Sequence, residues 1–271
     1  MSYRKPNFFI VGAPRCGTTA MLTYLREHPE IFLPKGYFEP IFFAKDLESP
    51  LFIRDEKQYA SLFNEVGNEK RVGEKSAWYL YSKTAASEIS KFCPHAKIVI
   101  MLRNPVDMMY SLFFYNRYMG YEDVHDFGEA IMLEADRKEN RAIPQHIHFQ
   151  GRLFYSDIAC YADQVERYLS IFGKNNVQII LFDDFRDHIA RVYKETLQFL
   201  GVRSDFQIYF HPINLDKHVR SSVLRDFYRY PHPYIMAAAR RLLPKYVRKR
   251  IMGYLKKSTM SMPYVSLWIM I

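Results

Sequence analysis

An α/β fold, a P-loop-type parallel sheet flanked by helices within a single domain, is predicted by three observations. Short apolar runs alternate with amphipathic segments, as in repeated βαβ units. The first run opens into a glycine-containing loop and then directly into a helix-like segment. The chain has 271 residues and 49% hydrophobic content, enough for one large core.

Strands are expected near residues 7–12, 71–74, 97–102 and 177–182. Helices are expected near 18–27, 83–92, 105–118, 126–140, 156–172 and 187–200. The first strand, Phe8 to Val11, delivers the chain into Gly12-Ala13-Pro14-Arg15-Cys16-Gly17-Thr18-Thr19. Its glycines keep the spacing of the nucleotide loop G-x-x-x-x-G-K-[ST], but Thr18 stands where the lysine belongs. Backbone N–H groups at a helix N-terminus still cradle an anion. The cation that reaches the β- and γ-phosphates is missing, and Arg15 inside the loop supplies a different one. The loop therefore predicts an anion other than a metal-bound triphosphate; an ordinary tight strand-to-helix turn is the plain alternative.

The third strand, 97–102, is a continuous apolar run, and Pro105 sits where the first turn of a helix tolerates it. Arg103 leaves the strand's end, and Ser111 follows eight residues later in the helix. A guanidinium fork offers paired donors to a phosphate, and a hydroxyl adds another. Capping of the sheet edge by Arg103, with Ser111 simply a small helix residue, is the alternative. Ligands of parallel sheets bind outside the C-terminal strand ends. Gly12, Lys75, Arg103 and Asp183 all fall at such ends, so one cleft is expected to collect them.

A net charge of +9 and a pI near 9.3 favour anionic ligands: a phosphorylated nucleotide, an acidic acceptor, nucleic acid or a membrane surface. Aromatic content of 16% suits a ring-lined cleft as well as a core. Cys16, Cys93 and Cys160 are too few and scattered for a disulfide framework or a metal pair. Cys16 reads as a small residue in a tight turn, with a low-pKa thiol at a helix N-terminus as the alternative. His125, His146 and His148 lack the helix spacing of a metal pair and read as surface residues. Residues 119–150 read as an insertion on the acceptor side. Residues 226–271 form a basic, partly apolar helical segment, with Arg240, Arg241, Lys245, Arg248, Lys249 and Arg250 among its cations. It is either an electrostatic platform for an anionic acceptor or membrane interface, or a solvated helix pair packed on the sheet. No signal peptide is read before the first strand and no run of about 18 apolar residues occurs, so a cytoplasmic location is expected.

The loop Arg15-Cys16-Gly17-Thr18 resembles the 5′-phosphosulfate loop [KR]-x-G-T of the PAPS-dependent sulfotransferases. The resemblance spans about residues 7–225 and includes the Arg103/Ser111 pair, which in that family grips the 3′-phosphate. Glu39-Pro40-Ile41-Phe42-Phe43 is similar to its E-x-x-F-F element, and Gly73-Glu74-Lys75-Ser76 to its E-K-[ST] element. Gly151 to Tyr155, the helix to Phe172 and the strand ending at Asp183 match its later pattern, and Asn214 to Leu224 its nucleotide-covering loop. The family lysine before the E-x-x-F-F glutamate is Phe38 here, with Lys35 as the candidate substitute. Leu112 to Asn116 contains none of the histidine used by the phenol- and steroid-sulfating branch, so the glutamate-base branch is implied.

The resemblance implies transfer of a sulfuryl group from 3′-phosphoadenylyl sulfate (PAPS) to an acceptor hydroxyl or amine, leaving adenosine 3′,5′-bisphosphate, with no metal required. Arg15, Cys16, Gly17, Thr18, Thr19, Arg103, Ser111, Lys217, Arg220 and Ser221 would hold the nucleotide. Glu39 would be the base, its carboxyl raised by Phe38, Ile41, Phe42 and Phe43, with Arg15 and Lys75 assisting the leaving group. A surface glutamate beside a proline turn is the plainer reading of Glu39. The acceptor is expected to be a carbohydrate, lipid or small metabolite. No nucleic acid is expected, and the basic C-terminal segment allows peripheral membrane contact. The rivals are a P-loop kinase or NTPase, and a catalytically inactive protein that binds anionic ligands or membranes.

Overall fold

The computed structural model describes residues 4–35 and 39–211, with residues 218–219, 241, 244, 246–247, 250 and 260–261 beyond them. Five strands, β1 (Phe8–Gly12), β2 (Ile31–Phe32), β3 (Arg71–Lys75), β4 (Lys97–Leu102) and β5 (Val177–Leu181), form a sheet in the order β2-β3-β1-β4-β5. Every neighbouring pair is parallel. Parallel pairing demands crossover connections, and helices provide them. They are α1 (Thr18–Arg26), α2 (Glu56–Ser61), α3 (Ala85–Phe92), α4 (Pro105–Met119), α5 (Phe127–Met132), α6 (Glu134–Lys138), α7 (Tyr155–Ala159), α8 (Tyr161–Phe172), α9 (Phe182–Asp187) and α10 (Ile189–Leu200). The α/β class and the parallel sheet match the sequence expectation.

Contacts gather the chain into two compact units. The first runs to Met109 and resumes at Phe154, and it holds the whole five-stranded sheet. The second takes in Tyr110–Leu153 and the described positions beyond residue 214.

The inner strands are apolar along their length because both faces are covered. Phe8, Phe9, Ile10 and Val11 of β1 and Ile98, Val99, Ile100 and Met101 of β4 are all buried. Full burial of one such side chain contributes about 1.5–3 kcal/mol. β1 lies so close to β3 that a Cβ on Gly73 would stand 2.1 Å from the Phe8 ring. Much of the aromatic content is core: Phe42 stacks on Tyr59 at 4.3 Å, and Phe43 meets Phe9, Tyr59, Tyr79 and Phe92.

Several boundaries differ from expectation for local reasons. The fourth expected strand stops at Leu181, because Asp183 and Asp184 in the first turn of α9 favour a helix start. The helix expected over 126–140 is two short helices, and that over 156–172 breaks at Cys160. β2 and α2 were not anticipated, being too short to show a period. α2 begins where Asp55 caps it, its Oδ1 accepting the Gln58 N–H at 2.7 Å.

In the second unit, Arg137 and Glu122 are fully buried and joined in a fork. Arg137 Nη1 and Nη2 donate to Glu122 Oε2 and Oε1 at 2.8 and 2.6 Å. Removing one partner strands the other charge away from water. Glu122→Ala is therefore expected to cost about 3–5 kcal/mol of stability in urea unfolding, and a loss below about 1 kcal/mol would contradict this reading.

Candidate active site

The glycine loop is shaped by two positions that exclude side chains. At Gly12, with φ of +148°, a Cβ would lie 2.6 Å from Leu80 Cβ and 2.7 Å from the Ala77 carbonyl oxygen. That close approach is sealed by Ser76 and Leu80, whose N–H groups donate to the carbonyls of Ile10 and Val11 at 3.1 and 2.7 Å. Gly17, at the N-cap of α1, has φ of +84°, the left-handed region that glycine enters without strain. No side chain caps α1, and no acid lies in its first turn. Its N-terminal amides and positive dipole end are therefore offered to a ligand. Thr18, in the lysine's place, is buried.

Arg103 follows β4, the strand beside β1, and its guanidinium covers the Phe182 ring at 4.8 Å. Its charge and that of Arg15 both act on the Cys16 thiol, so two guanidinium-bearing residues flank one loop. Cys16 itself is not activated. Burial pushes its thiol up to about 12, outweighing the hydrogen bond with Tyr161 and the pull of both arginines. This corrects the alternative of a low-pKa thiol. Tyr161, whose hydroxyl lies 4.0 Å from Cys16 Sγ, is also raised, first by burial and then by the neighbouring thiol. Nothing in the sequence singled out Tyr161, since it reads as one more helix residue.

Glu39 and Lys75 are brought together. Lys75, the last residue of β3, is 3% exposed and donates from Nζ to Glu39 Oε1. Glu39 Oε2 accepts the Ala77 N–H at 3.1 Å. The aromatic surroundings expected for this carboxyl differ: Phe42 and Phe43 turn into the ring cluster, and the carboxylate's partners are polar. Lys35 pairs with Glu65 at 2.6 Å on the surface. Asp183 does not join the site; it pairs with Arg186 at 2.9 Å, both more than half exposed. Ser111 is buried on α4 in the second unit, so its grouping with Arg103 rests on sequence spacing. Lys217, Arg220, Ser221 and Phe38 lie outside the described residues.

Glu74, quoted in the sequence only as part of a motif, is a buried carboxylate. Its Oε2 accepts from Tyr59 at 2.5 Å and its Oε1 from Ser76 at 2.7 Å.

Adjacent strands thus carry an anion cradle, two arginines and a carboxylate–ammonium pair to the C-terminal ends of one sheet. That is the layout of a group-transfer enzyme acting on an anionic nucleotide. The chain belongs to the sulfotransferase domain family, whose model matches residues 5–253. It is similar to the human bifunctional heparan sulfate N-deacetylase/N-sulfotransferase 3, 29% identical over 226 residues that cover 79% of this chain and 24% of that protein. Human carbohydrate sulfotransferase 15 is 23% identical over 255 residues, covering 73% and 44% respectively. The chain therefore spans less than half the length of these curated relatives. Among solved structures, a sulfotransferase from Alicyclobacillus acidocaldarius superposes with a TM-score of 0.70 at 31% identity, covering 88% of this chain and 96% of that one. The family assignment does not favour the nucleotide-kinase reading.

The thiols offer a direct check of the loop's packing. With an alkylating reagent near pH 8, exposed Cys160 is expected to react and buried Cys16 to resist, read by peptide mass spectrometry. Rapid labelling of Cys16 in the folded protein would contradict the packed loop.

Proposed function

We propose that this sulfotransferase uses PAPS as donor and a carbohydrate hydroxyl or amine as acceptor. The Glu39–Lys75 ion pair at the end of β3 carries the reading, because β3 is paired directly with β1 and its glycine loop. When bound, PAPS supplies the sulfuryl group and departs as adenosine 3′,5′-bisphosphate. The amides from Cys16 to Thr19, at the end of the loop and the start of α1, hold the 5′-phosphate. Arg103 takes the 3′-phosphate by its paired donors, and Ser111 joins it on the sequence resemblance alone. On the same resemblance alone, Lys217, Arg220 and Ser221 complete this set as part of a nucleotide-covering loop.

Transfer needs placement and charge neutralisation more than covalent help. The acceptor atom forms its bond to sulfur as the sulfur-to-bridging-oxygen bond breaks. The electron pair stays on the 5′-phosphate oxygen, where Arg15 and Lys75 offset the growing charge. The acceptor's proton goes to Glu39, which the Lys75 ammonium and the Ala77 N–H hold in place. A carbohydrate acceptor is supported by the relatives' names and by the chain's basic character. A cytoplasmic location and peripheral membrane contact through the basic C-terminal segment belong to this proposal and rest on the sequence pattern alone.

Two substitutions separate binding from chemistry. Arg103→Ala is expected to weaken binding of adenosine 3′,5′-bisphosphate about tenfold or more in calorimetry, by loss of charge-assisted hydrogen bonds. Glu39→Gln is expected to lower transfer from labelled PAPS by about 10²–10⁴ while leaving that binding nearly unchanged. Normal turnover in Glu39→Gln would remove the base assignment. Stabilisation by ATP–Mg²⁺ in preference to adenosine 3′,5′-bisphosphate would remove the donor assignment.

A further inference from the structure

Glu74 precedes the reactive Lys75 and has no role in the chemistry above, yet it is a carboxyl only 1% exposed. Ionising it there is costly. Burial is the largest influence on it and, with the charge of Glu39, moves its pKa up to about 7, against three hydroxyl hydrogen bonds that pull it down. Those hydroxyls belong to Tyr59, Ser76 and Tyr79.

Two of the three also carry the segment that bears Glu39. The Ile41 N–H donates to Ser76 Oγ at 3.1 Å, and the Phe43 N–H donates to the Tyr79 hydroxyl at 3.3 Å. On the carbonyl side, Arg54 donates to Ile41 at 2.7 Å and Ala44 at 3.0 Å, and also to Leu47. Ile41 itself has φ of +50°, a conformation that a β-branched residue keeps only where its surroundings hold it. Each hydroxyl has a single proton. Once its oxygen accepts a main-chain N–H, that proton is free to turn to an acceptor, and an ionised carboxylate only accepts. Amide to hydroxyl to carboxylate is therefore one consistent direction. A neutral carboxyl, or an amide in its place, sets a second donor against the hydroxyls.

We propose that Glu74 is a positioning residue: through Ser76 and Tyr79 it fixes the turn at Ile41, and so holds the Glu39 carboxylate against Lys75 and the Ala77 amide. The inference rests on the assignment of Glu39 as base. The ionisable groups around Glu74 are Tyr59 of α2, Tyr79 after β3, Tyr168 of α8 and Glu39. Arg26 of α1, Lys35 and Lys75 line a cavity of about 30 Å³ that Glu74 also borders.

Ser76→Ala, Ser76→Thr, Tyr79→Phe and Glu74→Gln test this in the full chain saturated with adenosine 3′,5′-bisphosphate. Hydrogen exchange at the Ile41 amide needs no acceptor. It is expected to quicken about tenfold or more in Ser76→Ala and Glu74→Gln, and to return toward the original rate in Ser76→Thr. Tyr79→Phe is expected to do the same at the Phe43 amide. Sulfuryl transfer from labelled PAPS, to water as free sulfate or to the amines of N-desulfated heparin, is expected to show a fallen kcat with nucleotide affinity unchanged. The original protein's kcat is expected to rise with pH through about 7 as Glu74 loses its proton, and Glu74→Gln to lack that limb.

Stability gives the opposite sign. Between the ordinary carboxyl range and about 7, folded Glu74 keeps a proton that the unfolded chain releases. Raising pH through that window therefore lowers the original protein's stability relative to Glu74→Gln. If Glu74→Gln does not fold, the Ser76 and Tyr79 variants decide. Unchanged amide exchange, or faster exchange with unchanged kcat, overturns the inference while intact nucleotide binding leaves the donor assignment standing. Absence of nucleotide binding in the original protein overturns the donor assignment instead.

Discussion

Burying an ammonium demands an anion beside it, and Glu39 meets that demand for Lys75. Lys75 is fixed by β3, whose register with β1 is set by Phe8, Phe9 and Ile10 facing Gly73, Glu74 and Lys75. Glu39 lies on a loop with no strand or helix of its own. Its position is inherited from the lysine it neutralises and from the side chains that grip residues 41–47. A carboxylate on a loop is thereby tied to the sheet through Lys75.

The sheet order does the rest. With β1 between β3 and β4, the glycine loop, Lys75 and Arg103 leave neighbouring strands at the same end. Neighbouring strands are about 4.8 Å apart, so three chemically unlike groups converge without any long loop reaching across. The loop's missing lysine is matched by what surrounds it. Arg15 and Arg103 supply charge, and the uncapped start of α1 supplies amides.

The parts of this arrangement written in local pattern were legible in the sequence. Strand-length apolar runs announced β1, β4 and β5, a short motif marked the end of β3, and glycine spacing announced the loop between β1 and α1. Glu39, Lys75, Arg15 and Arg103 were all marked by short motifs. What escaped depended on contacts distant in sequence. Tyr161 matters only because α8 brings its hydroxyl to Cys16, 145 positions away. The role of Glu74 arises from the hydroxyls of Tyr59, Ser76 and Tyr79 closing around it, which no spacing reveals. Asp183 was misjudged because a strand was extended one residue into a helix start, which turned the acid toward Arg186. The pairing of Glu39 with Lys75 across 36 positions was likewise invisible, although both residues had been named.

A crystal structure of the chain with adenosine 3′,5′-bisphosphate bound tests the central claim most directly. The 5′-phosphate should rest on the amides of Cys16 to Thr19 with Arg15 alongside, and Lys75 and Glu39 should face the vacated sulfuryl position. A nucleotide seated away from the glycine loop, or a Glu39–Lys75 pair turned from the 5′-phosphate, would contradict it.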